Sequence, residues 1–256
     1  MKITNHISFY YIEDRIKYVN TIIDETNKYP YITDIFIHTN KEDLQIDAFN
    51  KYNNGTLNIV YHDLSDCHHF KLTWKCRDLL EKQKNDYDIF MYIEDDMLVP
   101  CAAINYWMKY NKKLIENEYN LGFVRIETNA KNEEFITDLP GKRINTTITL
   151  DNEKYGVNGN PYCAFWIYNK EEFNKFVESK YYNLSAMPNW YGDREKSAIG
   201  LHSKGWGWYK CTIIPIVDKN LTKDCRIYHL PNNYVNDKRN FFASIPFEKC
   251  IDPKCI

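Results

Sequence analysis

A chain of 256 residues, 44% hydrophobic and 27% charged, with a formal net charge of −2, has the composition of a globular protein and fits one large α/β domain or two small ones. No basic field marks nucleic acid as a partner, and no apolar run approaches the ~20 residues needed to span a bilayer. The opening residues, MKITNHISFYYIED, lack a basic segment followed by an apolar core, which reads as no signal peptide and a cytoplasmic protein (in a host cytoplasm or a virion if the source is a virus).

Elements then alternate along the chain. Residues 7–11 form a short apolar run, a candidate first strand, and Ile12, Ile16, Val19 and Ile23 recur at helical spacing. Residues 33–39 (TDIFIHT) and 57–61 (LNIVY) read as further strands. Leu72, Cys76, Leu79 and Leu80 line one face of a helix over about residues 70–84. Its Lys71, Lys75 and Arg77 suit a diphosphate or a solvated basic face equally well. His62, His68 and His69 gather around Asp63, Asp66 and Cys67, but their spacing matches no common zinc pattern. The eight cysteines include no Cys-x-x-Cys pair, as expected of reduced thiols.

Residues 88–100, DIFMYIEDDMLVP, are the most informative stretch. Ile89 to Ile93 read as a buried strand, and the run ends abruptly in Glu94, Asp95 and Asp96. Three adjacent carboxylates at the end of a buried strand repel one another, and a hard divalent cation shared with substrate phosphates relieves that repulsion. A solvated acidic turn explains the same residues without a ligand.

This stretch resembles the acidic motif of glycosyltransferases with the type A (GT-A) fold, in the Glu-Asp-Asp form similar to that of inverting N-acetylglucosaminyltransferases. Residues 69–75 (HFKLTWK) are also similar to a segment of related transferases. The resemblance implies an α/β fold with a Rossmann-type, mostly parallel central sheet flanked by helices, and a smaller acceptor-side sheet. It implies one domain, with residues 1–100 as the nucleotide-sugar half, 101–235 as the acceptor and catalytic half, and 236–256 as a tail. A Mn²⁺ or Mg²⁺ ion would sit on Asp96, with Glu94 beside it. The sugar donor, a nucleotide diphosphate sugar and a UDP-sugar in the first instance, would meet Asp95, Tyr10 and Tyr11 at the end of the first strand, Lys75 and Arg194.

The second half supplies the remaining candidates. Ile104, Trp107, Met108, Leu114 and Ile115 mark a helix after Pro100, and residues 122–127 (GFVRIE) a strand that alternates Arg125 with Glu127. Residues 131–143 have no period and read as a loop. Residues 162–168 (YCAFWIY) read as a strand, after which Asn169 and Glu172 form a capping-box-like start to a helix. Asp193 is a plausible N-cap, with Glu195 in the first turn of a short helix, a placement that the helix dipole alone would favour. The resemblance makes Glu195 the catalytic base and Asp193 its alternate, with Trp190, Tyr191 and Trp166 facing the acceptor. Residues 212–217 read as a strand, and His229, late and after a strand, matches a supporting metal ligand, a role open to a neutral imidazole. Aromatic residues, 16% of the chain, suit stacking on sugars and equally a genome poor in G and C, as in a large virus or a low-GC bacterium.

The expected activity is transfer of a sugar to a glycan, protein or small-molecule hydroxyl. A sugar nucleotidyltransferase would share the sheet and the metal but needs a glycine-rich basic loop that is missing here. A non-catalytic sugar- or nucleotide-binding module would not need Glu195.

Overall fold

The computed structural model describes residues 1–139, 142–160, 162–186, 192–200, 210–237 and 241–255. It is an α/β protein with mixed sheets and several helices. The chain begins with β1 (Lys2–Phe9), α1 (Ile16–Thr26), β2 (Ile32–Thr39), β3 (Leu57–Tyr61), the short helices α2 (Leu72–Lys75) and α3 (Arg77–Lys82), and β4 (Ile89–Glu94). There follow β5 (Met97–Leu98), α4 (Cys101–Glu116), β6 (Tyr119–Leu121), β7 (Val124–Thr128), β8 (Glu134–Ile136), β9 (Thr147–Leu150) and β10 (Glu153–Val157). Next come β11 (Phe165–Asn169), α5 (Lys170–Glu178), α6 (Asp193–Ile199), β12 (Cys211–Val217), β13 (Asn220–Leu221), β14 (Arg226–His229) and β15 (Ile245–Pro246). Among the described residues, no helix is long and apolar enough to cross a membrane.

Contacts divide the chain into two compact units, Met1–Met97 with Ala164–Gly200, and Leu98–Cys163 with Leu201–Ile256. The first unit is built on a sheet in the order β11-β4-β1-β2-β3. Strand β1 lies at its centre and pairs in parallel with both β2 and β4, so that Ile7 stands opposite both Ile37 and Ile93. β3 extends the parallel set, and β11 closes the other edge antiparallel to β4. All six residues of β4 are buried, the pattern of a strand covered on both faces. The Asn169 side chain accepts the Glu172 N–H at 2.8 Å and starts α5, as the capping pattern predicts. The single helix expected over residues 70–84 is divided into α2 and α3, yet Cys76 between them keeps helical dihedrals (φ −69°, ψ −20°).

The second unit carries two sheets. One runs β13-β12-β10-β9 with β6 parallel to β12, and the other includes β15, β8, β7 and β14 in that order. The stretch read as a loop holds β8, whose three residues are too few to show a period. The β9–β10 hairpin turns on Asp151 and Asn152, both at positive φ (47° and 64°), the backbone that a tight two-residue hairpin needs.

Arg77 ties the first unit together beneath α6. It is buried, and its guanidinium donates to the carbonyls of Tyr182 (2.7 Å), Tyr181 (3.3 Å) and Ser197 (3.1 Å). The Trp74 ring lies 4.0 Å from it and the Phe176 ring 4.9 Å. Replacing Arg77 by Met keeps much of the volume and orphans these carbonyls, at about 1–3 kcal/mol for each acceptor left unsatisfied. Arg77→Met should therefore lower the unfolding free energy in a urea titration by about 3 kcal/mol; a change below about 1 kcal/mol would show that the carbonyls find other partners.

Candidate functional site

Strand β4 delivers Glu94, Asp95 and Asp96 to the carboxyl edge of the sheet. The Asp95 N–H donates to the Ser8 carbonyl on β1 at 3.2 Å, which fixes the start of the acidic turn. Glu94 and Asp95 are each only 6% exposed. Arg15, just before α1, answers their charge. Its Nε and Nη2 donate to the two Asp95 oxygens at 2.6 Å each, and Nη2 also reaches Asp96 Oδ2 at 2.9 Å. Burial pushes the Asp95 carboxyl upward and the Asp96 charge adds to the push, while the Arg15 fork pulls it back. The turn lies between β1 and β4, where the strand order reverses and where open α/β sheets take their ligands.

Helix α6 belongs to the same unit as this turn. The sequence division at residue 100 puts Glu195 in the acceptor half, apart from the acids; in the structure the Arg194 guanidinium lies within ion-pair distance of both Glu195 and Glu94. Arg194 places Nε 3.8 Å from Glu94 Oε2 and Nη2 3.6 Å from Glu195 Oε1. Asp193 is ion-paired with Lys71 at 2.7 Å, and its carbonyl accepts Trp74 Nε1–H at 2.7 Å. Gly192 precedes the helix with φ −63°, open to any residue, but a Cβ there would lie 2.3 Å from Glu195 Oε2. The glycine thus leaves room for the Glu195 carboxylate to fold back over the helix start.

The other expected residues divide. Tyr10 lines a hollow of about 480 Å³ past the carboxyl ends of β1, β2 and β3, with Asn40, Tyr61, Asp63, His68 and His69. Tyr11 lies beside it, its N–H donating to Asn40 Oδ1 at 2.8 Å. Lys75 is exposed, and its charge acts on His62 and Asp63. Trp166 corrects the acceptor expectation. It is 1% exposed, stacked between Tyr92 (5.8 Å) and Tyr168 (5.1 Å), and its Nε1–H donates to the Ser197 carbonyl, so its ring faces are spent in the core. Trp190 and Tyr191 lie outside the described residues.

His229, in the second unit, is held by Glu127, 102 residues away in the chain. Glu127, fully buried, accepts His229 Nδ1–H through Oε1, and its Oε2 accepts the N–H groups of Tyr234 (2.8 Å) and Val235 (2.7 Å). A carboxylate on Nδ1 fixes the tautomer and ring orientation, as carboxylates behind metal-bound histidines do. Arg125, its neighbour on β7, forms a two-pronged buried pair with Asp138.

Among the described residues, no group of three His, Cys, Asp or Glu side chains could hold a metal ion alone. The acidic turn nevertheless fits a Mg²⁺-like ion. Its groups are all hard oxygens, and such ions are commonly held by one or two carboxylates together with substrate phosphates. Asp96, touched by Arg15 through one oxygen, is the acid with which such an ion would be shared. No family model matches the chain, and no curated protein matches it.

Arg15 carried no sequence signal, being 80 residues from its partners. Arg15→Ala leaves a buried carboxylate without its cation, which typically destabilises by about 3–5 kcal/mol. The unpaired Asp95 should favour its protonated form in the fold, so that stability is lost as pH rises through its folded-state value. The deficit against wild type should therefore shrink between pH 8 and pH 5; a constant deficit in urea titrations at the two pH values would contradict the assignment.

Proposed function

We propose that the chain is a metal-dependent glycosyltransferase with a GT-A-like nucleotide-binding sheet, moving a sugar from a nucleotide diphosphate sugar to an acceptor hydroxyl. The observation that carries this reading is the acidic turn at the strand-order switch between β1 and β4, in the same unit as the hollow beyond β1–β3. In this reading the hollow takes the nucleoside, with Tyr10 at its wall. Asp96, with Glu94 alongside, would hold a Mn²⁺ or Mg²⁺ ion when the nucleotide diphosphate is bound, and Arg15 keeps Asp95 ionised and oriented. When bound, the ion stabilises charge developing on the leaving diphosphate.

Glu195 accepts the proton of the acceptor hydroxyl as that oxygen attacks the anomeric carbon from the face opposite the diphosphate. The outcome is inversion, and such general-base help is typically worth ~10²–10⁴ in rate. Arg194, between Glu94 and Glu195, keeps the two carboxylates from repelling each other and presents donors toward phosphate oxygens. Glu195→Gln should lower kcat by ~10²–10⁴ with nucleotide diphosphate affinity kept, whereas Asp96→Asn should lose both turnover and metal-dependent affinity. Wild-type turnover in Glu195→Gln would move the base to Asp193, and a product retaining the anomeric configuration would remove the need for a base.

Gly192→Ala separates position from identity. Its backbone accepts alanine, so the fold should hold within about 0.5–1 kcal/mol, while the new Cβ displaces Glu195 and turnover falls. Full activity with an unchanged melting temperature would show that the folded-back carboxylate is not the base.

A second reading, a nucleotide-binding module without catalysis, is favoured by the Arg15 fork, which neutralises Asp95 with no ion. Chelator-sensitive release of UDP from UDP-sugars supports the transferase. Nucleotide binding that survives chelator, with no hydrolysis of any nucleotide sugar, supports the module.

A further inference from the structure

Three histidines form a hydrogen-bonded column across the first unit's sheet. His6 on β1 and His38 on β2 are both fully buried, and half-buried His62 follows β3. His6 Nδ1 and His38 Nε2 are 2.8 Å apart, as are His38 Nδ1 and His62 Nε2. Neighbouring rings stack, with centroids 5.0 and 5.1 Å apart. The inner end closes on Gln83 Oε1, 3.0 Å from His6 Nε2, with Thr4 Oγ1 also at 2.9 Å from that nitrogen.

That end sets the direction of the whole column. The amide oxygen only accepts, so His6 Nε2–H donates to it and His6 Nδ1 accepts from His38 Nε2–H. His38 Nδ1 in turn accepts from His62 Nε2–H. All three neutral rings carry their proton on Nε2, and a proton added to His6 or His38 places a charge in the fully buried part of the column. Among the described residues, the surroundings offer an inner charge no counter-ion. His6 meets Gln83, Thr4 and the Phe36 ring, and His38, among the described residues, bonds to the two other histidines. His62 faces Lys75 and Asp78 from the helices above it, one charge of each sign.

The outermost tie of the column joins β2 to the residue after β3. β3 is an edge strand, half-buried along most of its length. The loop it leads into, with Asp63, Leu64, Ser65, Cys67, His68 and His69, forms the outer wall of the 480 Å³ hollow. Opening of β3 exposes His62 and His38 to water and therefore to protons. We infer that the His6–His38–His62 column is an acid latch: at neutral pH it holds β3 and the following loop on the sheet, and acid frees them and dismantles the outer wall of the hollow.

The sign follows from the neutral state. Burial drives His6 down to about 3 and His38 well below the ordinary imidazole value of 6.5, and His62 is also lowered, by burial first and then by Lys75. Above pH 6.5 closed and open forms bind protons alike, so the latch is at full strength. As pH falls below that value the open form takes protons that the closed form refuses, and opening becomes easier by up to ~10-fold per pH unit for each exposed ring. Two rings, His38 and His62, give at most ~100-fold per pH unit. The latch does not depend on the proposed activity; only its effect on a nucleotide rests on that reading.

Amide hydrogen exchange at pH 7.5 and 5.5, corrected for intrinsic rates, tests it. In the wild type, residues 57–69 should lose ~10–100-fold in protection at the lower pH while β4 and β11 keep theirs. His38→Phe, which keeps a ring but no titrating nitrogen, should lose at most ~10-fold; if that variant fails to fold, His62→Gln serves the same purpose. Equal protection of residues 57–69 at both pH values, or an equal loss in β4, overturns the latch. UDP binding measured on the same samples is a separate readout: no binding at pH 7.5 would count against the hollow as a nucleoside site, with the exchange result unaffected.

Discussion

Two carboxylates crowded into one turn at the end of a buried strand repel each other, and Arg15 is the cation the chain sets against that repulsion. At 4 Å, two like charges in a partly buried site repel by about 4 kcal/mol, enough to matter against the marginal stability of a domain. The fork from Arg15 holds both oxygens of Asp95 and one of Asp96, so it joins the segment after β1 to the segment after β4 across the strand-order switch. The geometry of the acidic turn depends on it. A charge-assisted, two-pronged pair fixes direction as well as energy, and here it turns Asp95 toward the protein and leaves Asp96 as the acid that a bound ion would use.

The second dependence runs through α6. A helix of seven residues has little stability of its own, and this one is tied at both ends. Trp74 holds the Asp193 carbonyl, and Arg77 and Trp166 both hold the Ser197 carbonyl. Glu195 therefore rides on a segment whose position is set by the core, and Gly192 gives its carboxylate room. The residues doing this work are aromatic or buried basic groups, and none of them has to touch a ligand.

Much of the frame was legible in the sequence because its signals are local. The strands at residues 33–39 and 57–61 lie within a residue of those observed, β4 is a buried strand that runs into its acids, and Asn169 caps α5 as its spacing to Glu172 predicts. What was not legible is what the fold brings from far away. Arg15 reaches its acids across 80 residues, and Glu127 reaches His229 across 102. The histidine column joins positions that look unrelated in one dimension. Trp166 was misread because an aromatic strand residue looks the same whether it packs in a core or faces a sugar. The placement of α6 beside the acids was missed because the chain leaves the first unit at Met97 and returns only at Ala164.

The central claim is that Asp96 and a nucleotide diphosphate hold one ion between them, with Asp95 reserved by Arg15. Binding of ion and nucleotide must then be linked, each raising the affinity for the other by the same factor. The direct measurement is titration of Mn²⁺ into the protein, followed by the loss of the free-ion paramagnetic resonance signal, with and without saturating UDP. Weak binding alone that tightens at least ~10-fold with UDP, and does not tighten in Asp96→Asn, is the predicted result. Mn²⁺ affinity that is the same with and without UDP, or tightening that persists in Asp96→Asn, would contradict it.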